Sequence, residues 1–127
     1  MKQVFVLIFA VMALVSCSEA QEKPSSDGVI NKVVSAVDFK AMITDDVQLI
    51  DVRTAKEFNG GKIDGATNID FFGENFEAEL NGLDKSKKTL VYCAVGGRSG
   101  KAAGVMKKLG FKEVYDLKGG YGNWPYK

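Results

Sequence analysis

The chain reads as an α/β protein: a central parallel sheet of about five strands with helices on both faces. Two observations predict this. Short apolar runs rich in Val, Ile and Leu alternate with segments of helical spacing between residues 33 and 117, the pattern of successive βαβ units. Capping signals open several of the helical segments, and glycines close them. A third observation bounds the answer: the chain has 127 residues, room for one small domain once an N-terminal signal is set aside.

That signal comes first. Lys2 precedes a twelve-residue apolar run, residues 4–15, short of the roughly 20 residues that span a bilayer as a helix. The run ends in Leu14-Val15-Ser16-Cys17, which resembles the lipobox of bacterial lipoproteins, where the cysteine becomes the acylated first residue. The expectation is a signal peptide at 1–16, a lipidated N-terminus and flexible polar tether at 17–30, and a folded domain at 31–127. Lipid attachment at Cys17 implies an exported protein anchored to a bacterial envelope membrane. Ser18, in place of the aspartate that retains enterobacterial lipoproteins, points to the outer membrane facing the periplasm. Removing residues 1–16 takes away one charge, Lys2, and leaves 16 basic against 16 acidic side chains. A neutral domain has no overall bias toward nucleic acid.

The elements follow in order. Val33-Val34 is a short first strand. Ser35 and Asp38 start a helix whose face carries Phe39, Met42 and Ile43. Residues 47–52 form a buried strand leading into Asp51-Val52-Arg53. Thr54-Ala55-Lys56-Glu57 is a capping box; Phe58 packs that helix down and Gly60-Gly61 ends it. Residues 63–69 hold a turn and a short strand. Phe76 and Leu80 mark a helix within residues 75–80. Residues 89–92 are the central buried strand. Residues 99–109 form a helix with Ala102, Ala103, Val105, Met106 and Leu109 on one stripe, stopped by Gly110. Residues 114–117 are the last strand, and Gly119-Gly120 turns the chain before Trp124.

Between the central strand and its helix lies Cys93-Ala94-Val95-Gly96-Gly97-Arg98-Ser99. Ligands of such sheets bind outside the carboxyl ends of the strands, and Cys93 sits at one of these ends. Loop N–H groups and a helix N-terminus favour anions there. They favour thiolate too, lowering a free-cysteine pKa of about 8.5 to roughly 3.5–7.5 in comparable settings. The chain has no histidine and two cysteines. This excludes a Cys-His or Ser-His-Asp unit and disfavours a zinc site. Cys93 must be activated by its loop, which suits attack on a sulfane sulfur, since thiol exchange depends mainly on thiolate and leaving group.

Three segments in order resemble the rhodanese-like domain. They are Leu49-Ile50-Asp51-Val52-Arg53 with Glu57-Phe58 and residues 61–69; Val91-Tyr92-Cys93 through Ser99, similar to the active loop Cys-x-x-Gly-x-Arg-Ser; and Leu117-Lys118-Gly119-Gly120 with Trp124. The resemblance implies the rhodanese-like three-layer fold and a sulfurtransferase. Its Cys93 thiolate takes a sulfane sulfur from thiosulfate or a similar small sulfur anion. The resulting persulfide passes the sulfur to cyanide or a thiol. It implies no cofactor and no metal. Cys93 and Arg98 are then the catalytic residues, and Ala94, Val95, Gly96, Gly97 and Ser99 the substrate-binding loop. Arg98 either orders that loop or meets the anionic donor. Asp51 and Arg53 are read as structural support. Lys62 stands where the family usually has histidine. Ala94 stands where thiosulfate-using relatives often carry a basic residue.

Other readings differ in chemistry. Four residues separate Cys93 from Arg98, whereas cysteine phosphatases and related arsenate reductases use a five-residue spacing that cradles phosphate more widely. The segment 96–101 imitates a phosphate-binding Walker loop but has Val95 at the first glycine position and Ala102 at the metal-binding Ser/Thr position. A rhodanese-like module that carries sulfur or binds a partner without turnover stays open.

Overall fold

The computed structural model describes residues 28–127; the signal segment, Cys17 and the tether up to residue 27 lie outside them. Five strands form one sheet in the order β1-β5-β4-β2-β3, and every pairing is parallel. They are β1 (Ile30–Val34), β2 (Gln48–Asp51), β3 (Thr67–Asn68), β4 (Thr89–Tyr92) and β5 (Glu113–Leu117); the helices are α1 (Ala36–Met42), α2 (Ala55–Asn59), α3 (Phe76–Asn81) and α4 (Gly97–Leu109). Among the described residues, no helix is long and apolar enough to cross a membrane.

Side-chain alternation along the strands builds two cores, because neighbours in a strand point to opposite faces. On one face Ile50, Val52, Val91, Cys93 and Val114 pack with Phe76 and Leu80 of α3 and with Ala102, Ala103 and Met106 of α4. On the other Leu49, Leu90, Tyr92, Tyr115 and Leu117 pack with Phe39 of α1 and with Trp124. Phe39 meets the Tyr92 and Trp124 rings edge-on at 6.5 and 5.9 Å, a favourable aromatic geometry. β4 is buried along its whole length, as a central parallel strand must be.

Two element starts, each by more than one residue, and the packing of one helix differ from the sequence expectation. β1 begins at Ile30 and not Val33, so the sheet takes the last residue assigned to the tether. The polar Asn31 and Lys32 hid it: β1 is an edge strand paired only with β5, and the Asn31 amide donates to the Ala103 carbonyl at 2.8 Å. α4 begins at Gly97 and not Ser99, because the last glycine of the loop already turns helically. α2 buries none of its residues; Phe58 is half-buried, and the Lys62 ammonium stands 4.3 Å from its ring centre.

Two features fix the rim around the end of β4. The Asp51 carboxylate is fully buried and Arg53 is 5 % exposed; Nη2 and Nε of Arg53 donate to Asp51 Oδ2 at 2.7 and 3.0 Å. Arg53 Nη2 also donates to the Gly61 carbonyl at 2.6 Å, and its guanidinium lies 4.4 Å from the Tyr121 ring centre. Burial pulls the Arg53 pKa down, but the hydrogen bond and charge of Asp51 outweigh it, and the net shift is upward. The second feature is the turn after β5. Gly120 adopts φ 64° and ψ −168°, a combination reserved almost entirely for glycine. A Cβ there would lie 2.5 Å from the Ala94 carbonyl oxygen. That approach lets Tyr121 N–H donate to the Cys93 carbonyl at 2.8 Å and Gly122 N–H to the Ala94 carbonyl at 2.9 Å.

Replacing Arg53 with alanine strands a buried carboxylate and should cost about 3–5 kcal/mol in urea unfolding. A cost below about 1 kcal/mol would contradict the buried pair. Gly120→Ala should lower stability by at least the roughly 1–3 kcal/mol of the strained backbone. It should also perturb the Cys93 and Ala94 amide resonances in NMR spectra; unchanged resonances would remove the turn's role in fixing the loop.

Candidate active site

Cys93 follows the last residue of β4 and is fully buried. The loop rises over it and re-enters the fold as α4. Gly96 holds φ 116°, in the region that favours glycine. This aims the Gly96 N–H at the sulfur: it donates to Cys93 Sγ at 3.0 Å. Ser99, also fully buried, stands in the first turn of α4 with its Oγ 3.4 Å from Sγ. The same hydroxyl donates to the Gly96 carbonyl at 3.2 Å. Burial works to raise the Cys93 pKa. The Ser99 hydroxyl and the backbone N–H groups of Ser99, Gly96 and Val95 outweigh it, and the thiol ionises below its ordinary value. Hydrogen bonds to the charged form have this effect.

The structure thus gathers Cys93, Gly96 and Ser99 around one sulfur. Ala94 is half-buried under the 121–122 amides. Val95 is 76 % exposed and carries an apolar side chain at the rim. Gly97 opens the helix.

Arg98 pairs with Glu57. Its Nη1 and Nη2 donate to Glu57 Oε2 and Oε1 at 2.7 and 2.9 Å, a two-pronged pair that favours planar registration. Its guanidinium carbon also lies 5.9 Å from the ring centre of Phe72, which is 71 % exposed. Glu57 completes the predicted capping box: Oε2 accepts from Thr54 N–H at 2.9 Å, and Glu57 N–H donates to Thr54 Oγ1 at 3.2 Å. The Arg98 hydrogen bonds, then the Thr54 amide, hold the Glu57 carboxyl at about 2. The capping box was legible in four consecutive residues. Its second task, tying α2 to the loop 41 residues away, carries no local signal. Asp51 and Arg53 sit beside the site as the buried pair described above and do not reach the sulfur.

The sequence reading passed over Tyr121 and Gly122, whose amides clamp the loop carbonyls. The glycine pair before them was the available sign, since two adjacent glycines after a strand mark close backbone approach as well as a turn. Among the described residues, no cluster of side chains has the makeup of a metal site. A surface concavity lined by Met42, Val47 and Lys88 among others lies at the opposite, amino-terminal ends of β2 and β4.

Comparison with known proteins agrees with this geometry. Residues 35–126 match the family model described as "Rhodanese-like domain". The chain is 39 % identical over 95 residues to the uncharacterized protein YqhL of Bacillus subtilis, covering 75 % of this chain and 73 % of that one. It is 34 % identical over 95 residues to the thiosulfate sulfurtransferase GlpE of Shewanella oneidensis, covering 75 % and 87 %. It also matches a tRNA uridine(34) hydroxylase of Teredinibacter turnerae at 36 % identity, covering 72 % of this chain but 30 % of that larger protein. Among solved structures, a rhodanese-related protein of Thermoplasma volcanium superposes with a TM-score of 0.65 at 29 % identity, covering 73 % of this chain and 89 % of that one. A parallel five-stranded sheet, a cysteine loop at the end of its central strand and a family match across most of the domain together make this chain a member of the rhodanese-like domain family.

Proposed function

We propose that the chain is a sulfurtransferase with Cys93 as its nucleophile. The observation that carries this reading is the Gly96 N–H donating to Sγ at 3.0 Å in a chain with no histidine. A thiolate stabilised by peptide dipoles is competent for attack on divalent sulfur, where the leaving group departs without a proton. With thiosulfate, the Cys93 thiolate attacks the outer sulfur, the S–S bond to the sulfonate sulfur breaks, and sulfite leaves with its electron pair. Cys93 then carries a persulfide anion. Cyanide attacks its terminal sulfur, forming thiocyanate and restoring the thiolate; a thiol acceptor would leave as its own persulfide.

The loop residues Ala94 to Ser99 would hold the donor by backbone N–H groups. Arg98 orders the loop through Glu57, so its charge reaches the donor already offset by a carboxylate. The similarity to GlpE supports thiosulfate as a donor. Export and lipid anchoring at Cys17 belong to the same proposal and rest on the N-terminal sequence; a sulfur-loaded protein tethered at a membrane would serve acceptors near that surface.

Incubation of the full chain with thiosulfate should add one sulfur atom at the Cys93 peptide in mass spectra, and cyanide should then release thiocyanate. Cys93→Ala should abolish both. Loading without thiocyanate would make the protein a carrier, and no loading with thiosulfate or polysulfide would overturn the reading.

The Arg98–Glu57 pair gives a pH prediction. Glu57 is held at about 2 in the fold, below its unfolded value of about 4.3. A depressed carboxyl stabilises the fold fully above the unfolded pKa, and that contribution is lost as pH falls through the folded one. Wild type should therefore melt above Glu57→Gln at pH 6, and the gap should close between about pH 4.5 and 2. Parallel melting curves across that range would rule out a pair of this kind.

A further inference from the structure

Beside the turn that pins the catalytic loop lies a cleft that the proposed reaction does not use. Its volume is about 300 Å³, and it is lined by the end of α1, by residues 61–64 and by side chains between Tyr121 and Lys127. Cavities of this size and upward hold small organic ligands. The walls include Tyr121, Trp124 and Tyr126. Trp124 is buried, and Tyr126, 44 % exposed, stands against it with ring centres 5.0 Å apart. An exposed ring backed by a buried one is a firm surface for another flat ring.

Cations border these rings. Lys40 Nζ lies 5.7 Å from the Tyr126 ring centre, and Lys127 Nζ 4.7 Å from that of Tyr121. Lys62 lines the cleft too, with its ammonium over Phe58. Among the described residues, the salt bridges are Arg53 with Asp51 and Arg98 with Glu57. The three lysines therefore bring charge that no carboxylate side chain offsets by contact. One carboxylate, the exposed Asp64, shares the lining.

Each observation limits the occupant. Ammonium groups without carboxylate partners favour an oxyanion, since lysine binds phosphate as a point charge. Inorganic phosphate would leave the aromatic walls unused. Asp64 repels a bare anion and accepts only from a ligand that carries donors as well. The volume suits one ring, one sugar and one phosphate. We propose that this cleft is a ligand site for a pyrimidine nucleoside monophosphate, separate from the catalytic loop. The base lies against Tyr126, the phosphate meets Lys40 and Lys127, and a sugar hydroxyl or ring amine donates to Asp64. Tyr121 belongs to both places: its side chain lines the cleft, and its N–H donates to the Cys93 carbonyl at 2.8 Å.

Trp124 is the chain's single tryptophan and reports occupancy directly. Titrating the full chain with cytidine 5′-monophosphate should change its fluorescence saturably. Cytidine and inorganic phosphate each hold part of the chemistry and should bind at least about tenfold more weakly. Lys40→Gln and Tyr126→Ala alter exposed side chains, and each should weaken binding of the nucleotide. Added salt should weaken it for the wild type, because these ammonium groups are open to solvent. The wild-type protein also supplies a measurement that needs no variant: the NMR amide shifts caused by the nucleotide should centre on Ile63, Asp64, Trp124 and Tyr126. The proposal is overturned by no saturable change, by cytidine or phosphate binding as tightly as the nucleotide, or by shifts centred on residues 94–99. None of these readings requires Cys93 to react, so the site stands or falls apart from sulfur transfer.

Discussion

Everything at this site depends on one backbone N–H. The Gly96 amide, 3.0 Å from Cys93 Sγ, substitutes a fixed peptide dipole for the imidazole this chain lacks. A dipole fixed by the fold costs no reorganisation when charge forms on the sulfur. Holding it there is the work of much of the molecule. β4 delivers the cysteine at the centre of the sheet, α4 receives the loop, and the Tyr121 and Gly122 amides pin the carbonyls of Cys93 and Ala94 from below. Gly120 permits that last contact, since any side chain would collide with the loop backbone. Turn and nucleophile are thus joined by backbone hydrogen bonds from Tyr121 to Cys93 and from Gly122 to Ala94.

The charged groups divide by burial. Asp51 and Arg53 are sealed beside the site and tie the end of β2 to the 61 carbonyl and the Tyr121 ring. Pairs of this kind are weak sources of stability but costly to break, which suits a rim that must keep one shape. Glu57 and Arg98 are partly exposed and span from α2 to the loop. Their strength lies in geometry more than in energy, since exposed pairs contribute little. Together they balance the loop's one arginine with a carboxylate. The exposed side chains of the loop mouth are Val95 and Phe72, an apolar rim around an anion-stabilising base.

How much of this was legible in the sequence follows the reach of each signal. Short apolar runs such as residues 89–92 and 114–117, alternating with helical segments, predicted the sheet, and the glycine-rich loop after a buried strand predicted where chemistry sits. Local pairs such as Thr54 with Glu57 were readable because helix geometry fixes what lies three residues on. Contacts set by tertiary packing were not. Nothing near Glu57 announces Arg98, and nothing near Gly120 announces Ala94. Asn31 and Lys32 concealed the start of β1 because an edge strand tolerates polar residues that a central strand excludes. Asp116 was visible as an anomaly, a carboxylate inside an apolar strand run, but its burial is settled only once the sheet and α4 are assembled.

The claim beneath all of this is that peptide dipoles and one hydroxyl make Cys93 anionic without histidine. Thiolate ultraviolet absorbance followed against pH, with Cys93→Ala subtracted to remove every other chromophore, measures that ionisation directly. The account predicts that the sulfur ionises below the free-cysteine value of about 8.5. A midpoint at or above that value would contradict it.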